Sequence, residues 1–306
     1  MNKCGKNAGI PAIFSLEIIL EEINMYRLPM VAAINDLSGF GRCSLTVAIP
    51  VLSAMGLQCC PLPTALLSNH TGYPTYFFSD YTDSMEAYYH EWLKLDLDFA
   101  AIYSGFLGSA KQVAIVMEMM QIFKEKQRNK GISEPLAVVD PVMGDNGVVY
   151  ATYNHEMCQK MRQLVSVADI ITPNLTEAAI LLDRAYTDEY ISLDAGKEMA
   201  ERLTELGPVI AVVTGVKTHG DKVLNLAYDR SKKEFVHTIH PLVYPHFNGT
   251  GDVFASVLCG ALVNGMDIGD ALEKSAEFVY QTARFTSEKG GDTADGVLIE
   301  HFLHQL

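Results

Sequence analysis

Asp252 stands at the head of an apolar run and is preceded by Asn248-Gly249-Thr250-Gly251. Val253, Phe254, Val257, Leu258, Ala261 and Leu262 recur at helical spacing, so a small-residue loop feeds a helix with an acid in its first turn. The two glycines allow positive φ and let a phosphate come close to backbone N–H groups. A helix start adds unpaired N–H groups and the positive end of a dipole, which together suit an anion. A carboxylate beside that anion repels it, so Asp252 fits a proton acceptor next to a phosphate better than a phosphate ligand. An acid that only favours the helix dipole, behind glycines that only make a turn, is the competing account.

Other chemistry-bearing residues fall in short polar clusters. Asp140-Pro141-Val142-Met143-Gly144-Asp145 offers two acids, Asp140 and Asp145, that could hold a divalent cation through oxygen ligands, or form a solvated acidic turn. In Thr172-Pro173-Asn174-Leu175-Thr176-Glu177, Asn174 and Glu177 lie three apart and can face one site, with Thr176 able to cap the following helix; a plain cap with a first-turn acid is the competing account. Ser68-Asn69-His70-Thr71-Gly72-Tyr73 supplies hydrogen-bonding groups and a ring, as a polar heteroaromatic ligand requires. Asn35-Asp36-Leu37-Ser38-Gly39-Phe40-Gly41 invites a dinucleotide-binding reading. It lacks the third glycine, and Gln58, Cys59 and Cys60 stand where the ribose-binding acid belongs.

These clusters need a scaffold, and the surrounding pattern provides one. Strand-like runs at 30–34, 57–60, 99–103, 136–139, 169–172 and 209–213 alternate with helical patterns at 44–55, 84–95, 110–126, 154–167 and 193–206. A hairpin follows at 223–228 and 235–239, and helices are expected at 267–286 and 297–306, the last carrying His301 and His304 on one face. Such alternation predicts an α/β fold, a mostly parallel sheet flanked by helices. The polar clusters follow successive strands, so they share one edge of that sheet and line one crevice. The expected layout is a single domain over 30–306, with little or no separate lid, behind an N-terminal extension over 1–29. Trp92 and the methionines at 117, 119 and 120 read as core.

With 49% hydrophobic and 20% charged residues, the 306-residue chain can bury a substantial core. A net charge of −14 disfavours nucleic acid as a partner, while a nucleotide needs only a local patch. No apolar run reaches the ~18 residues of a membrane span. Six cysteines show no paired metal spacing, and a reducing, cytoplasmic setting fits them.

Taken in order, Ser68 to Tyr73, Asp140 to Asp145, Thr172-Pro173-Asn174 with Glu177, and Gly249-Thr250-Gly251-Asp252 resemble the motifs of the ribokinase-like superfamily, most closely its pyridoxal/pyridoxamine kinase branch. The resemblance covers residues 30–286 and implies a three-layer sandwich. It also implies ATP-dependent phosphorylation of a hydroxymethyl group on a B6 vitamer. Asp252 would then be the base and Gly249, Thr250 and Gly251 the anion hole. Asn174, Glu177, Thr214 and Asn248 would serve the nucleotide, and Asp140, Asp145 and Glu177 would serve Mg²⁺. Asn35, His70, Tyr73 and Phe106 would line the vitamin pocket. A monovalent cation and a homodimer are further implications. The turn from Asn35 to Gly41 is more similar to the hydroxymethylpyrimidine kinase branch, which makes that substrate the alternative. A sugar kinase, a nucleotide-binding regulator without turnover and a nicotinamide-dependent oxidoreductase are the remaining rivals.

Overall fold

The computed structural model describes residues 28–150, 153–187 and 190–306. Most of the expected extension lies outside these residues. Nine strands form one sheet. In chain order they are β1 (Met30–Ser38), β2 (Gln58–Leu67), β3 (Phe78–Asp80), β4 (Ala101–Ser104), β5 (Leu136–Val139), β8 (Ile170–Ile171), β9 (Ile210–Thr218), β10 (Lys222–Asp229) and β11 (Glu234–Pro241). Across the sheet the order is β11-β10-β9-β8-β5-β4-β1-β2-β3. Strands from β9 to β2 run parallel, and the hairpin β10–β11 and the short β3 add antiparallel edges. A separate small ribbon pairs β6 (Gly144–Asp145) with β7 (Val148–Val149).

Alternation along β1 shows how the layers form. Ala32 and Ile34 join the cluster containing Phe99, Val116 and Phe123, whereas Val31 and Ala33 pack with Leu45, Leu52 and Cys259 on the other face. Both faces are buried, as a parallel sheet requires. Helices α1 (Ser44–Ala54), α7 (Thr250–Val263) and α8 (Ile268–Glu288) cover one face. On the other lie α2 (Thr82–Lys94), α3 (Ala110–Asn129), α4 (His155–Val167), α5 (Leu175–Leu181) and α6 (Leu193–Thr204). Trp92 packs edge-on to Phe99 at 5.3 Å between ring centroids, and Met119 and Met120 are buried, so both are core as expected. None of the helices among the described residues is long and apolar enough to cross a membrane.

Several boundaries differ from expectation, and β1 runs on through Asn35 to Ser38, residues expected in the turn. β2 runs on through Pro61 and Pro63, because up to residue 63 it pairs only with β1 and leaves its other edge free for residues that lack an N–H. β9 continues past Thr214 through Gly215, whose φ of +68° and a register shift against β10 mark a bulge. The helix expected at 297–306 is instead two 3₁₀ turns, Ile299–His301 and Leu303–Gln305. So short a segment has little helical stability of its own. The packing of Val297, Ile299, Phe302 and Leu303 against the α7–α8 layer sets its course.

Candidate active site

The direction of chain progression reverses at β1, with β2 on one side and β4 on the other. In open α/β sheets a crevice forms there, beyond the carboxyl ends of the strands. Asn35 of β1 and Gly105, just after β4, flank it. The two are fitted to each other, since a Cβ on Gly105 would lie 2.2 Å from the Asn35 amide nitrogen. With no side chain at 105, the Asn35 carbonyl accepts the N–H of Phe106 at 2.8 Å and of Asp36 at 3.0 Å. Its amide then donates to Asp252 Oδ1 at 3.3 Å. Asn35 is thus buried and tied to the protein on both sides of its amide.

Asp252 reaches this point because Gly249 starts α7 in the left-handed region, at φ +75°. A Cβ at 249 would lie 2.0 Å from the Arg42 carbonyl, whereas one at Gly251 would meet nothing within 4 Å. The two glycines therefore differ: 249 allows close packing of backbone on backbone, and 251 leaves open space before the helix start. Burial pushes the Asp252 carboxyl up to about 6, with a contribution from the charge of Asp36; the Ser44 backbone N–H and the Asn35 amide pull the other way. A base must be ionised to accept a proton. If Asp252 is that base, kcat/KM falls as the pH drops through about 6, well above the ordinary aspartate range. A pH profile whose acid limb lies near 4 would reject this.

Neighbouring strand ends deliver the other acids. Asp140, after β5, is buried, accepts the Thr172 hydroxyl at 3.0 Å and is pushed upward by burial and by the charge of Asp252. Glu177 is buried as well. Its two oxygens accept the N–H groups of Met143 at 3.1 Å and Asn174 at 2.9 Å, while Asn174 Oδ1 accepts the Glu177 N–H at 3.0 Å. That is a capping box, with Asn174 rather than Thr176 as N-cap. The Asn174 amide also donates to Gly144 O, and Thr176 Oγ1 accepts the Gly147 N–H, so the β6–β7 ribbon is fastened to the start of α5. Thr214 pairs with Asn174 through an isolated parallel bridge and donates its N–H to Pro173 O. Asp145 sits further out and faces His246 at 3.2 Å.

Asp140, Asp145 and Glu177 do not converge on a single point. Among the described residues, the one group of three side chains with ligand atoms within 4.8 Å of one another is His240, Glu273 and Glu277, at the β11–α8 edge. His301 instead packs its ring on Phe285. Even so, no Lys or Arg pairs with Asp140, Glu177 or Asp252 among the described residues. Buried carboxylates without a cationic partner, beside a place for phosphate, are a hard-oxygen donor set that fits Mg²⁺. Because Asp140 is pushed up, its contribution to stability falls as the pH rises above the ordinary 3.8. Asp140→Asn is therefore expected to raise the melting temperature of the ligand-free protein by a few degrees near pH 8, with a smaller gain near pH 4. Thermal unfolding at the two pH values checks this, and a lower melting temperature at pH 8 would contradict it.

The vitamin-pocket candidates meet a loop that the sequence did not single out. The Gly72 N–H donates to His70 Nδ1 at 3.1 Å, so Nε2 carries the proton it gives to Ala294 O at 2.6 Å. The Tyr73 ring lies 4.7 Å from that of His70, tilted by 50°, and its hydroxyl donates to Asp295 at 2.6 Å. Asn248 and Arg42 donate their N–H groups to Thr293 O and Asp295 O. Phe40 lies 5.6 Å from the Tyr73 ring. Ser68 and Asn69 bond within their own loop. Phe106 is half-buried, with its backbone held by Asn35 and Thr64. Residues 292–296 thus tie together the His70 loop, the Arg42 turn and the approach to α7. In sequence they look like a plain polar turn, because Arg42, His70 and Tyr73 lie more than 200 residues away and Asn248 some 45.

A crevice at the reversal point, an acid at a glycine-opened helix start and uncompensated carboxylates nearby define an ATP-dependent kinase of the ribokinase-like class. The chain belongs to the phosphomethylpyrimidine kinase family, whose profile matches residues 48–296. A structure from Bacteroides thetaiotaomicron, provisionally named phosphomethylpyrimidine kinase and determined with pyridoxal, is 42% identical with a TM-score of 0.82, over 91% of this chain and 96% of that one. The pyridoxal kinase of Lactobacillus plantarum is 29% identical with a TM-score of 0.79, over 91% and 96%. The pyridoxine/pyridoxal/pyridoxamine kinase of Bordetella avium is 30% identical over 81% of this chain and 82% of its own.

Proposed function

We propose that the chain transfers the γ-phosphoryl group of ATP to the hydroxymethyl oxygen of a B6 vitamer, giving the 5′-phosphate and ADP. The observation that carries this reading is the half-buried Asp252, held by Asn35 at the head of α7 and pushed up to about 6, where it can accept a proton near neutral pH. Asp252 takes the hydroxymethyl proton as that oxygen attacks phosphorus. The N–H groups at the head of α7 face the charge that develops on the transferring group. Gly251 leaves the space for it to approach. Asn174, Thr214 and Asn248 border the nucleotide side, and His70, Tyr73 and Phe106 the vitamer side. Bound Mg²⁺, held by Asp140 with Asp145 and Glu177 nearby, would neutralise phosphate charge.

The relative determined with pyridoxal supports the vitamer as substrate. The family profile and the Asn35 to Gly41 turn favour a second reading, hydroxymethylpyrimidine as acceptor. Both are hydroxymethyl heterocycles and demand the same chemistry. A coupled ADP-release assay with pyridoxal, pyridoxine, pyridoxamine and hydroxymethylpyrimidine decides between them, and the highest kcat/KM is expected with a B6 vitamer. A preference for hydroxymethylpyrimidine would overturn the first reading, and no ADP release with any of the four would leave a nucleotide-binding regulator. A homodimer and a cytoplasmic setting complete the proposal. The described cysteines are free, in keeping with a reducing compartment, and light scattering tests the dimer.

A further inference from the structure

Thr64 and Gln112 have no part in the chemistry as described, yet both are polar and almost wholly enclosed, at 0% and 1% exposure. Thr64 stands where β1 and β2 slip register between the pairs Asn35–Pro63 and Leu37–Leu66, so that two residues of β2, Thr64 and Ala65, face Asp36 alone. A bulge of this kind re-aims a side chain. Here the Thr64 hydroxyl donates to the Phe106 carbonyl at 3.0 Å. The Thr64 carbonyl accepts the Gln112 amide at 2.8 Å and the Tyr81 N–H at 3.1 Å, while Gln112 Oε1 accepts the Gly108 N–H at 2.7 Å. These bonds close a ring: from the Thr64 hydroxyl to Phe106, along the chain to Gly108, across to Gln112 and back to the Thr64 carbonyl.

We infer that Thr64 is a positioning residue for the acceptor, which sets the direction of the Phe106 ring by holding the Phe106 backbone. The Phe106 N–H is bound by Asn35 at 2.8 Å, and Thr64 takes the carbonyl of the same residue. Two fixed peptide planes leave one direction for the Cα–Cβ bond between them, so the ring is aimed before a ligand arrives and binding need not pay to order it. Without the Thr64 hydroxyl the peptide after Phe106 is free to turn between Asn35 and the Gly108–Gln112 contact. The loss falls on acceptor binding, because Asn174, Thr214 and Asn248 are held on the nucleotide side by other contacts. The inference rests on the reading of Phe106 as part of the vitamer side.

The test is a double-mutant cycle in the full-length protein, read by ADP release with pyridoxal and ATP each varied. Thr64→Val keeps the shape and removes the hydroxyl, and is expected to raise KM for pyridoxal roughly 3- to 10-fold, the worth of one hydrogen bond, with kcat and KM for ATP within about twofold. A Thr64 that served stability alone would lower the melting temperature and leave both KM values where they are. Thr64→Ser retains the donor and is expected to hold the pyridoxal KM within about twofold of the parent. Thr64→Val added to Phe106→Ala is expected to shift that KM by less than about twofold further, because the ring it aims is gone. Should Thr64→Val fail to fold, Thr64→Ala, which puts no γ-methyl against the Phe106 carbonyl, is measured for the same split. An unchanged pyridoxal KM in the foldable Thr64 variant, an equal rise in both KM values, or a full further rise in the Phe106→Ala background would overturn the inference. Failure of the vitamer-side reading is seen separately, as a pyridoxal KM that Phe106→Ala by itself leaves unmoved.

Discussion

Asp252→Asn is expected to lower kcat by ~10²–10⁴-fold, the range that general-base assistance supplies, with KM for ATP changed by no more than a few-fold. Asparagine keeps the size and the oxygen that accepts the Asn35 amide at 3.3 Å, so that contact survives. What it loses is the ability to take a proton. The residual rate would come from the N–H groups at the head of α7 and from positioning, which the substitution leaves in place. Because burial and Asp36 push the wild-type carboxyl to about 6, the substitution also removes a charge that the fold tolerates poorly, and the variant is expected to be at least as heat-stable as the parent at pH 8. Steady-state kinetics with thermal unfolding on the same preparation separate the two effects. Turnover within tenfold of the parent would reject Asp252 as the base.

Substitutions at the two glycines of the loop are expected to fail in different ways. Gly249→Ala places a Cβ 2.0 Å from the Arg42 carbonyl at a residue with φ +75°, so backbone must shift. Left-handed strain and overpacking together cost roughly 2–4 kcal/mol. For a domain of this size that corresponds to a melting temperature lowered by about 4–15 °C. Since Gly249 starts α7, the displaced loop also carries Asp252 and the N–H groups with it, and kcat is expected to fall together with stability. Gly251→Ala meets no protein atom, so its melting temperature should stay within about 2 °C of the parent. Its methyl group projects into the space left for phosphate, and kcat/KM is expected to fall roughly 10- to 100-fold, less than the ~10²–10³ of losing a donor outright. A Gly251→Ala variant that is unstable but fully active would reverse the assignment of the two glycines.

Much of this architecture was legible from local pattern. The apolar runs and helical spacings lie within one or two turns of the observed elements, because burial on both faces of a parallel sheet leaves a signal of its own. Gly249 to Asp252 could be recognised as a helix start with an acid in its first turn, since the glycines, the acid and the apolar face are all contiguous. Asn174 and Glu177 were visible as a pair for the same reason. The cap with a first-turn acid was legible too, whereas its tie to the β6–β7 ribbon appears only once Met143 and Gly144 are placed beside it. The C-terminal segment misled because its apolar spacing fits a helix, while its packing on α7 and α8 draws it into 3₁₀ turns.

What the sequence by itself determined is the order of strands and helices, the glycine-opened turn and the presence of an acid at its end, all of which depend on neighbours within a few residues. Only the tertiary structure decided what that acid touches. Asn35 reaches Asp252 across 217 residues, and residues 292–296 reach the His70 loop across more than 220, by contacts that leave no periodic trace in the chain. Burial then set the chemistry: a carboxylate on a solvated turn would titrate as an ordinary aspartate, and the same residue enclosed beside Asp36 is pushed up to about 6.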